Sequence, residues 1–74
     1  MGNKEYIRDF NGNILGIIET ETNGDQTAYN FPGMLVLGRY KKQFDHTTNF
    51  NGVVVARGNT VAALIYEDIA KRSR

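Results

Sequence analysis

Three apolar runs dominate the hydrophobic pattern of this chain, and each follows the short phrase Phe-x-Gly. The runs cover residues 14–18, 34–37 and 53–56. The phenylalanines are separated by 21 and then 19 residues, about the length of two short strands with their connections. The pattern therefore predicts three repeated β-hairpins. These units run over about 4–21, 26–41 and 46–58.

Glycine-containing turns are the strongest local signals between the predicted strands. Asn11-Gly12 and Asn51-Gly52 predict two-residue type I′ turns, because Asn-Gly tolerates positive φ at both central positions. Pro32-Gly33 takes this place in the middle unit, and proline is incompatible with the first position of such a turn. A type II turn, or a longer loop with a bulge at Gly33, is expected there. Gly12, Gly33 and Gly52 are thus predicted to be structural turn residues.

Six segments of strand length remain between the predicted turns. Asn23-Gly24 and a wider connection over 42–45 supply the other turns. The second strand of each unit is continuously apolar, whereas a half-exposed strand alternates, so burial on both faces is expected there. The predicted strands are 4–10, 14–21, 26–31, 34–41, 46–50 and 53–57.

After residue 58 the apolar positions recur at helical spacing, which predicts a helix over about 60–71. Asn59 or Thr60 can cap its first turn. A helix of about three turns covers only part of one face of a six-stranded sheet. The remaining apolar surface is expected either to curl into a closed barrel or to pair with a second copy of the chain.

Length and composition limit what the protein can be. Its 74 residues, 41% of them hydrophobic, fit one small domain with little stability to spare. The lack of cysteine excludes disulfides and thiol chemistry and fits a reducing compartment. No apolar stretch approaches the roughly 20 residues of a membrane-spanning helix. A cytoplasmic protein without membrane association is therefore expected.

The net charge of +1 hides an uneven distribution. Residues 1–25 carry two basic and five acidic side chains, whereas the rest of the chain carries seven basic and three acidic ones. The surplus of basic side chains after residue 25 can attract an anionic partner or the acidic half of another copy. The alternative interpretation is a set of charges scattered over a solvated surface.

The sequence contains no set of residues in the arrangement of a catalytic or metal site. The single histidine, His46, lies beside Asp45 without a nucleophile and supporting acid nearby, and is interpreted as a loop residue. Glu67 and Asp68 point about 100° apart on a helix. The acidic residues around Asn23-Gly24 lack the spacing of a calcium loop. We therefore predict no enzyme activity, no cofactor and no metal site.

The repeated aromatic residues allow two interpretations. Phe10, Phe31 and Phe50 are predicted to be packing anchors, and the alternative is an exposed row on which bases stack. In that alternative, nearby basic residues neutralise the phosphates of a single-stranded nucleic acid. The candidate basic residues are Arg39, Lys41, Lys42 and Arg57.

The segment Arg8-Asp9-Phe10-Asn11-Gly12-Asn13-Ile14-Leu15-Gly16 resembles a repeat found in small uncharacterised proteins of bacteria and their mobile elements. That repeat reads roughly Asp-Phe-x-Gly-x-Ile-Leu-Gly, and the likeness covers residues 5–65. More remotely, the segment resembles the Tyr-Asp hairpin (Rhs-type) repeats of large secreted toxin shells. These resemblances imply β-hairpin units, and they imply neither an activity nor catalytic residues.

The sequence thus predicts a mainly β (α+β) protein, an antiparallel meander of three hairpin repeats and about six strands with one C-terminal helix. The expected function is that of a non-enzymatic binding or assembly module that forms a homodimer. An unidentified protein partner remains open. Weak binding of single-stranded nucleic acid is the alternative function.

Overall fold

Six antiparallel strands follow one another across a single sheet, and one helix packs on one of its faces. The structure is a computed structural model that describes residues 3–31 and 33–72. The predicted meander and C-terminal helix are confirmed. The elements are β1 Asn3–Arg8, β2 Ile14–Thr20, β3 Gln26–Asn30, β4 Val36–Lys41, β5 His46–Asn49, β6 Val54–Arg57 and α1 Val61–Arg72. Strands β1 and β6 form the two edges, so the sheet is open and the barrel alternative is wrong.

The hairpin loops close differently from the predicted type I′ turns. In the first loop the Gly12 N–H donates to the Asp9 carbonyl, and the Asp9 N–H donates to the Asn13 carbonyl. Gly12 has φ +87°, but Asn11 is not among the residues with positive φ. The loop is therefore a three-residue turn that ends in a left-handed glycine. The loops at 21–25 and 49–53 have the same pattern.

An acid or amide before each phenylalanine explains this geometry. The Oδ1 atom of Asp9 accepts the N–H groups of Asn11 and Asn13, each at 2.9 Å. In the third unit, Asn49 Oδ1 likewise accepts the N–H groups of Asn51 and Val53. Such side-chain caps satisfy backbone donors that a tight loop leaves unpaired.

The middle hairpin has a loop one residue longer. Asn30 N–H donates to the Leu35 carbonyl, and Asn30 Oδ1 accepts the Leu35 N–H at 2.8 Å. Met34 takes a left-handed conformation with φ +57°. Gly33 lies in this loop, where a Cβ would come within 3.2 Å of the Asn30 Oδ1 atom. Pro32 falls outside the described residues.

One extra residue interrupts the second strand of every hairpin at the same place. These β-bulge residues are Leu15, Leu37 and Val55, since the pairing skips from Gly16 to Ile14, from Gly38 to Val36 and from Ala56 to Val54. A bulge lets two successive residues face the same side of a sheet. A continuous apolar run therefore does not by itself imply burial on both faces.

Burial differs sharply among the three apolar runs. Strand β2 is well covered, with Gly16, Ile17 and Ile18 buried. The other two runs are largely exposed at their start, as at Leu35 (66%) and Val53 (58%). The expectation of two-sided burial is correct for β2 and wrong for the runs at 34–37 and 53–56.

Helix α1 lies over the middle of the sheet, against β2, β3 and β4. Ile18 and Ala28 of the sheet form the core with Val61 and Ile65 of the helix. The helix comes close because Gly16 has no side chain: a Cβ there would lie 2.8 Å from the Ile65 Cδ1 and Cγ2 atoms. A Cβ at Gly38 would likewise overlap the Leu64 Cδ1 atom.

A buried threonine connects the last hairpin to the helix. Thr47 is fully buried, and its Oγ1 atom donates to the Gly58 carbonyl at 2.7 Å and accepts the Thr60 N–H at 2.9 Å. Asn59 adds the predicted cap, because its Oδ1 atom accepts the Val61 N–H at 3.3 Å. These bonds fix where α1 begins.

We predict that Gly16→Ala destabilises the fold by roughly 1–3 kcal/mol, because the added methyl overlaps Ile65 and the Tyr29 carbonyl oxygen. Ile65→Val removes the Cδ1 methyl, one of the two Ile65 atoms that the added Cβ would overlap, so the double variant should lose somewhat less than the sum of the single losses. Gly12→Ala, where nothing lies within 4 Å but φ is +87°, should show no such coupling to Ile65→Val. Urea unfolding of the variants measures both couplings, and additive losses for Gly16→Ala would contradict the close approach.

We also predict a pH effect at the first loop. The backbone N–H of Asn13, helped by further bonds from Asn13, Asn11 and Gly12, holds the pKa of Asp9 below its ordinary value. A lowered folded-state pKa means that this carboxylate stabilises the fold above the ordinary carboxyl pKa of about 4 and loses that contribution as the pH falls through the folded value.

Asp9→Asn is the matched variant, because the third loop already uses the Asn49 amide in the same role. The stability difference between wild type and Asp9→Asn should be constant near neutral pH and shrink as the pH falls below the ordinary carboxyl pKa of about 4. Urea unfolding at each pH measures this difference. A difference that does not change with pH would contradict the role assigned to Asp9.

Candidate functional site

The sheet face turned away from α1 has no covering layer in the described part of the chain, and we call it the open face. The strand register places five basic side chains on it, whereas Glu19 is the one acidic side chain that the described strands contribute there. The basic residues are Lys4, Arg8, Arg39, Lys41 and Arg57. The open face is therefore more basic than the net charge of +1 suggests.

Basic side chains are most closely spaced on β4, β5 and β6, and we call these four residues the basic patch: Arg39, Lys41, His46 and Arg57. Lys41 pairs with His46, and His46 pairs with Arg57, so the three lie in one row across the sheet. Arg39 lies two residues before Lys41, about 7 Å along the strand. Placing basic side chains beside one another is mildly destabilising. The patch therefore has no evident role in stabilising the fold.

An aromatic ring lies beside the basic patch. Phe44, in the loop between β4 and β5, stacks on the His46 ring with centroids 5.4 Å apart and an interplanar angle of 20°. Phe44 remains 63% exposed, so most of its surface is accessible. His46 begins strand β5, so its interpretation as a loop residue is wrong. An exposed ring next to cationic groups can stack against a planar, anionic ligand.

The other half of the open face carries two tyrosines. Ile17 is only 4% exposed, although no layer covers it, because Tyr6 and Tyr29 are its direct neighbours on β1 and β3. The Arg8 guanidinium lies over the Tyr6 ring at 5.8 Å. Burial and a 3.1 Å hydrogen bond to Glu19 raise the pKa of the Tyr29 phenol, which therefore stays neutral at physiological pH.

The predicted phosphate-binding residues do not all come together. Arg39, Lys41 and Arg57 lie in the basic patch, where Lys41 Nζ also approaches Asp25 Oδ2 at 3.7 Å. Lys42 lies in the loop after β4, and its backbone N–H donates to Asp25 Oδ1 at 2.9 Å. Its side chain lies against Gly24, so Lys42 is separate from the basic patch.

The predicted aromatic anchors occupy loop tips and not the core. Phe10 is 97% exposed and Phe50 is 69% exposed, so their assignment as packing anchors is wrong. Phe31 is half-buried. All three loops connect odd to even strands of the meander, so they lie at the same end of the sheet. Phe10 and Phe50 directly follow the capping residues Asp9 and Asn49 in short loops that leave both rings exposed.

Sequence reasoning missed Phe44 and His46 as members of one cluster. The signal that was available is the wider connection over 42–45, which brings a loop aromatic back over the start of the next strand. The capping role of Asp9, Asn30 and Asn49 was also missed. In each unit an acid or amide directly precedes the phenylalanine, and such a residue favours a capped turn.

The helix side of the sheet has a shallow groove between α1 and strands β4–β6. Its lining includes the apolar side chains of Leu37, Phe50, Val55 and Leu64, together with charged residues of α1 such as Glu67 and Lys71. The groove exists because α1 covers only the middle strands. Val55 is therefore accessible from this side.

The described residues contain neither a metal-binding cluster nor a membrane-spanning helix. Residues 3–31 and 33–72 contain no cluster of three or more acidic or histidine side chains arranged to hold a metal ion. Helix α1 is too short and polar to cross a membrane, and it is the one helix of the described chain.

No protein-family model, curated protein or solved structure matches this chain. The resemblance to hairpin-repeat proteins stays a prediction.

We predict that Phe10→Ala and Phe50→Ala each change the free energy of unfolding by less than about 0.5 kcal/mol, since both side chains are exposed. Ile65→Ala is the matched control in the core, and it should cost about 2–5 kcal/mol. Thermal or urea unfolding distinguishes the two classes. A core-sized loss for Phe10→Ala would restore the packing interpretation.

Proposed function

We propose that the protein is a small non-enzymatic binding module whose open face binds single-stranded nucleic acid. The observation that supports this most directly is the basic patch, where Arg39, Lys41 and Arg57 share one uncovered face with the Phe44–His46 stack. Single-stranded nucleic acid offers both chemistries that this surface complements, namely phosphates spaced along a chain and planar bases.

The dimensions of the face fit a short ligand. Six strands at about 4.8 Å spacing give a width of roughly 25 Å, enough for about five nucleotides. Lys4 and Arg8 on β1 extend the positive charge to the far edge of this width. A single-stranded nucleic acid that crosses all six β-strands thus meets cations near both edges of the sheet. The rings of Tyr29 and Phe44 lie between these edges.

Charge also favours nucleic acid over a second copy of the protein as the partner of the open face. In a face-to-face dimer, the cations of β1 and of the basic patch would be brought toward the same groups of the other copy, and the acidic side chains described near them, Glu19 and Asp25, are fewer than the cations. Duplex nucleic acid is also less suitable, because a flat sheet face contacts few of its phosphates and cannot stack on its paired bases. We therefore expect preference for single strands.

The test is fluorescence anisotropy with a labelled single-stranded oligonucleotide of DNA or RNA. We expect a dissociation constant of roughly 10–100 µM at low salt, weakening steeply between about 50 and 200 mM NaCl. The double variant Arg39→Ala/Arg57→Ala should reduce the slope of log K against log salt by about 1.4, or about 0.7 for each lost phosphate contact. Phe44→Ala should weaken binding about 5- to 100-fold.

Three variants serve as matched controls. Lys42→Ala and Lys71→Ala each remove one positive charge away from the open face, and Phe10→Ala removes an exposed ring at a loop tip. All three should bind with affinity close to the wild type. Equal losses from Lys42→Ala and Arg39→Ala, or unchanged binding for Phe44→Ala with equal competition by heparin, would reduce the proposal to unspecific polyanion binding and so contradict it.

A further inference from the structure

The two edges of the sheet differ in how well they are protected from pairing. Strand β1 carries three charged side chains among its six residues, Lys4, Glu5 and Arg8, and charged side chains of this kind protect an edge strand from pairing with another chain. Strand β6 is Val-Val-Ala-Arg and follows a further exposed valine. Its outer backbone groups face no strand in the described part of the sheet.

The side chains along β6 are unusually exposed for valines. Val53, Val54 and Val55 are 58%, 53% and 51% exposed. The register places Val54 on the open face, and Val55 lines the groove on the helix side, so apolar surface lies on both sides of the edge backbone. An edge strand whose one charged side chain is Arg57 at its end, with apolar residues on both sides of the backbone, is a template for strand addition.

We propose that two copies of this chain pair through their β6 strands about a twofold axis perpendicular to the sheet, giving one sheet of twelve strands. Antiparallel pairing of this kind puts both helices on one side and both open faces on the other. The two Arg57 side chains, at the C-terminal end of each β6, then lie at opposite ends of the junction, about 10 Å apart along the strand direction.

Charge selects this arrangement over the alternative in which β6 pairs with β1 of the next copy. In an antiparallel β6–β1 pair, Arg57 lies at the end of the sheet where β1 begins, beside Lys4 on the same face. Like charges directly opposite one another in a sheet are destabilising. The head-to-tail contact also leaves free edges and would grow into open filaments, whereas the twofold contact closes.

The pairing is independent of nucleic-acid binding, so it is tested with the protein alone. Sedimentation or light scattering from micromolar to near-millimolar protein should show a shift from the mass of one chain to twice that mass. Because β6 has only four residues, the interface is smaller than the roughly 800 Å² per partner of standard complexes, and weak reversible association is expected.

Val55→Lys and Val55→Glu provide the decisive variants. Each places a like-charged pair near the twofold axis and should weaken association at least about 10-fold. Leu35→Lys changes another exposed apolar side chain, away from the edge, and should not weaken association. Mixing the two Val55 variants should restore a dimer of one copy each at low salt. Val55 is exposed, so the variants should fold, which circular dichroism checks.

Several outcomes would overturn the proposal. A wild-type mass that stays at one chain over the whole concentration range excludes pairing. Mass that grows without limit supports the head-to-tail contact and excludes the twofold one. Association that Val55→Lys leaves unchanged, or a mixture of the two Val55 variants that stays monomeric while the wild type dimerises, places the interface elsewhere.

Discussion

The extra residue in the second strand of each hairpin is the constraint on which the rest of the structure depends. A strand without it would send successive side chains to opposite faces throughout. With Leu15 and Leu37 inserted, a leucine and the following glycine both face α1, and the leucine fills space beside the core while the glycine lets the helix approach. The third bulge lies beyond the helix, and there alanine, Ala56, takes the glycine's place.

The bulges also decide the chemistry of the uncovered face. Beyond each bulge the alternation resumes, so Arg39 and Lys41 of β4 face away from the helix while Gly38 and Tyr40 face it. The four-residue connection after Lys41 sets the register that puts His46 and Arg57 in the same row. One set of local irregularities thus produces an apolar side under the helix and a basic side opposite.

Much of the architecture could be predicted from sequence because its signals are local. Gly-containing turns and a change of hydrophobic period locate six strands and one helix to within a few residues. Asn-Gly by itself predicts a two-residue type I′ turn, and this prediction is wrong because the preceding Asp9 or Asn49 side chain caps a longer loop. The wrong prediction that Phe10 is buried has the same cause, because the capped loop leaves its ring exposed.

The face on which a side chain lies could not be predicted in the same way. A single bulge reverses the alternation, and continuous apolar runs such as Val53–Val55 hide where the extra residue falls. The cluster of Phe44 with His46 and Arg57 depends on registers between three strands, which no local pattern encodes. Sequence alone therefore identified three of the four basic-patch residues, Arg39, Lys41 and Arg57, without showing that they meet.

The meander order has a consequence for how such a protein can change in length. Within the described residues every strand pairs with its neighbours in the chain, and the main contacts of α1 are with β2, β3 and β4. A duplicated hairpin added before β1 would therefore leave the core, the existing registers and the link from Thr47 to the start of α1 intact, as in proteins built from stacked repeats. Gene duplication within this chain would lengthen the open face by two strands at a time, with no new covering layer required.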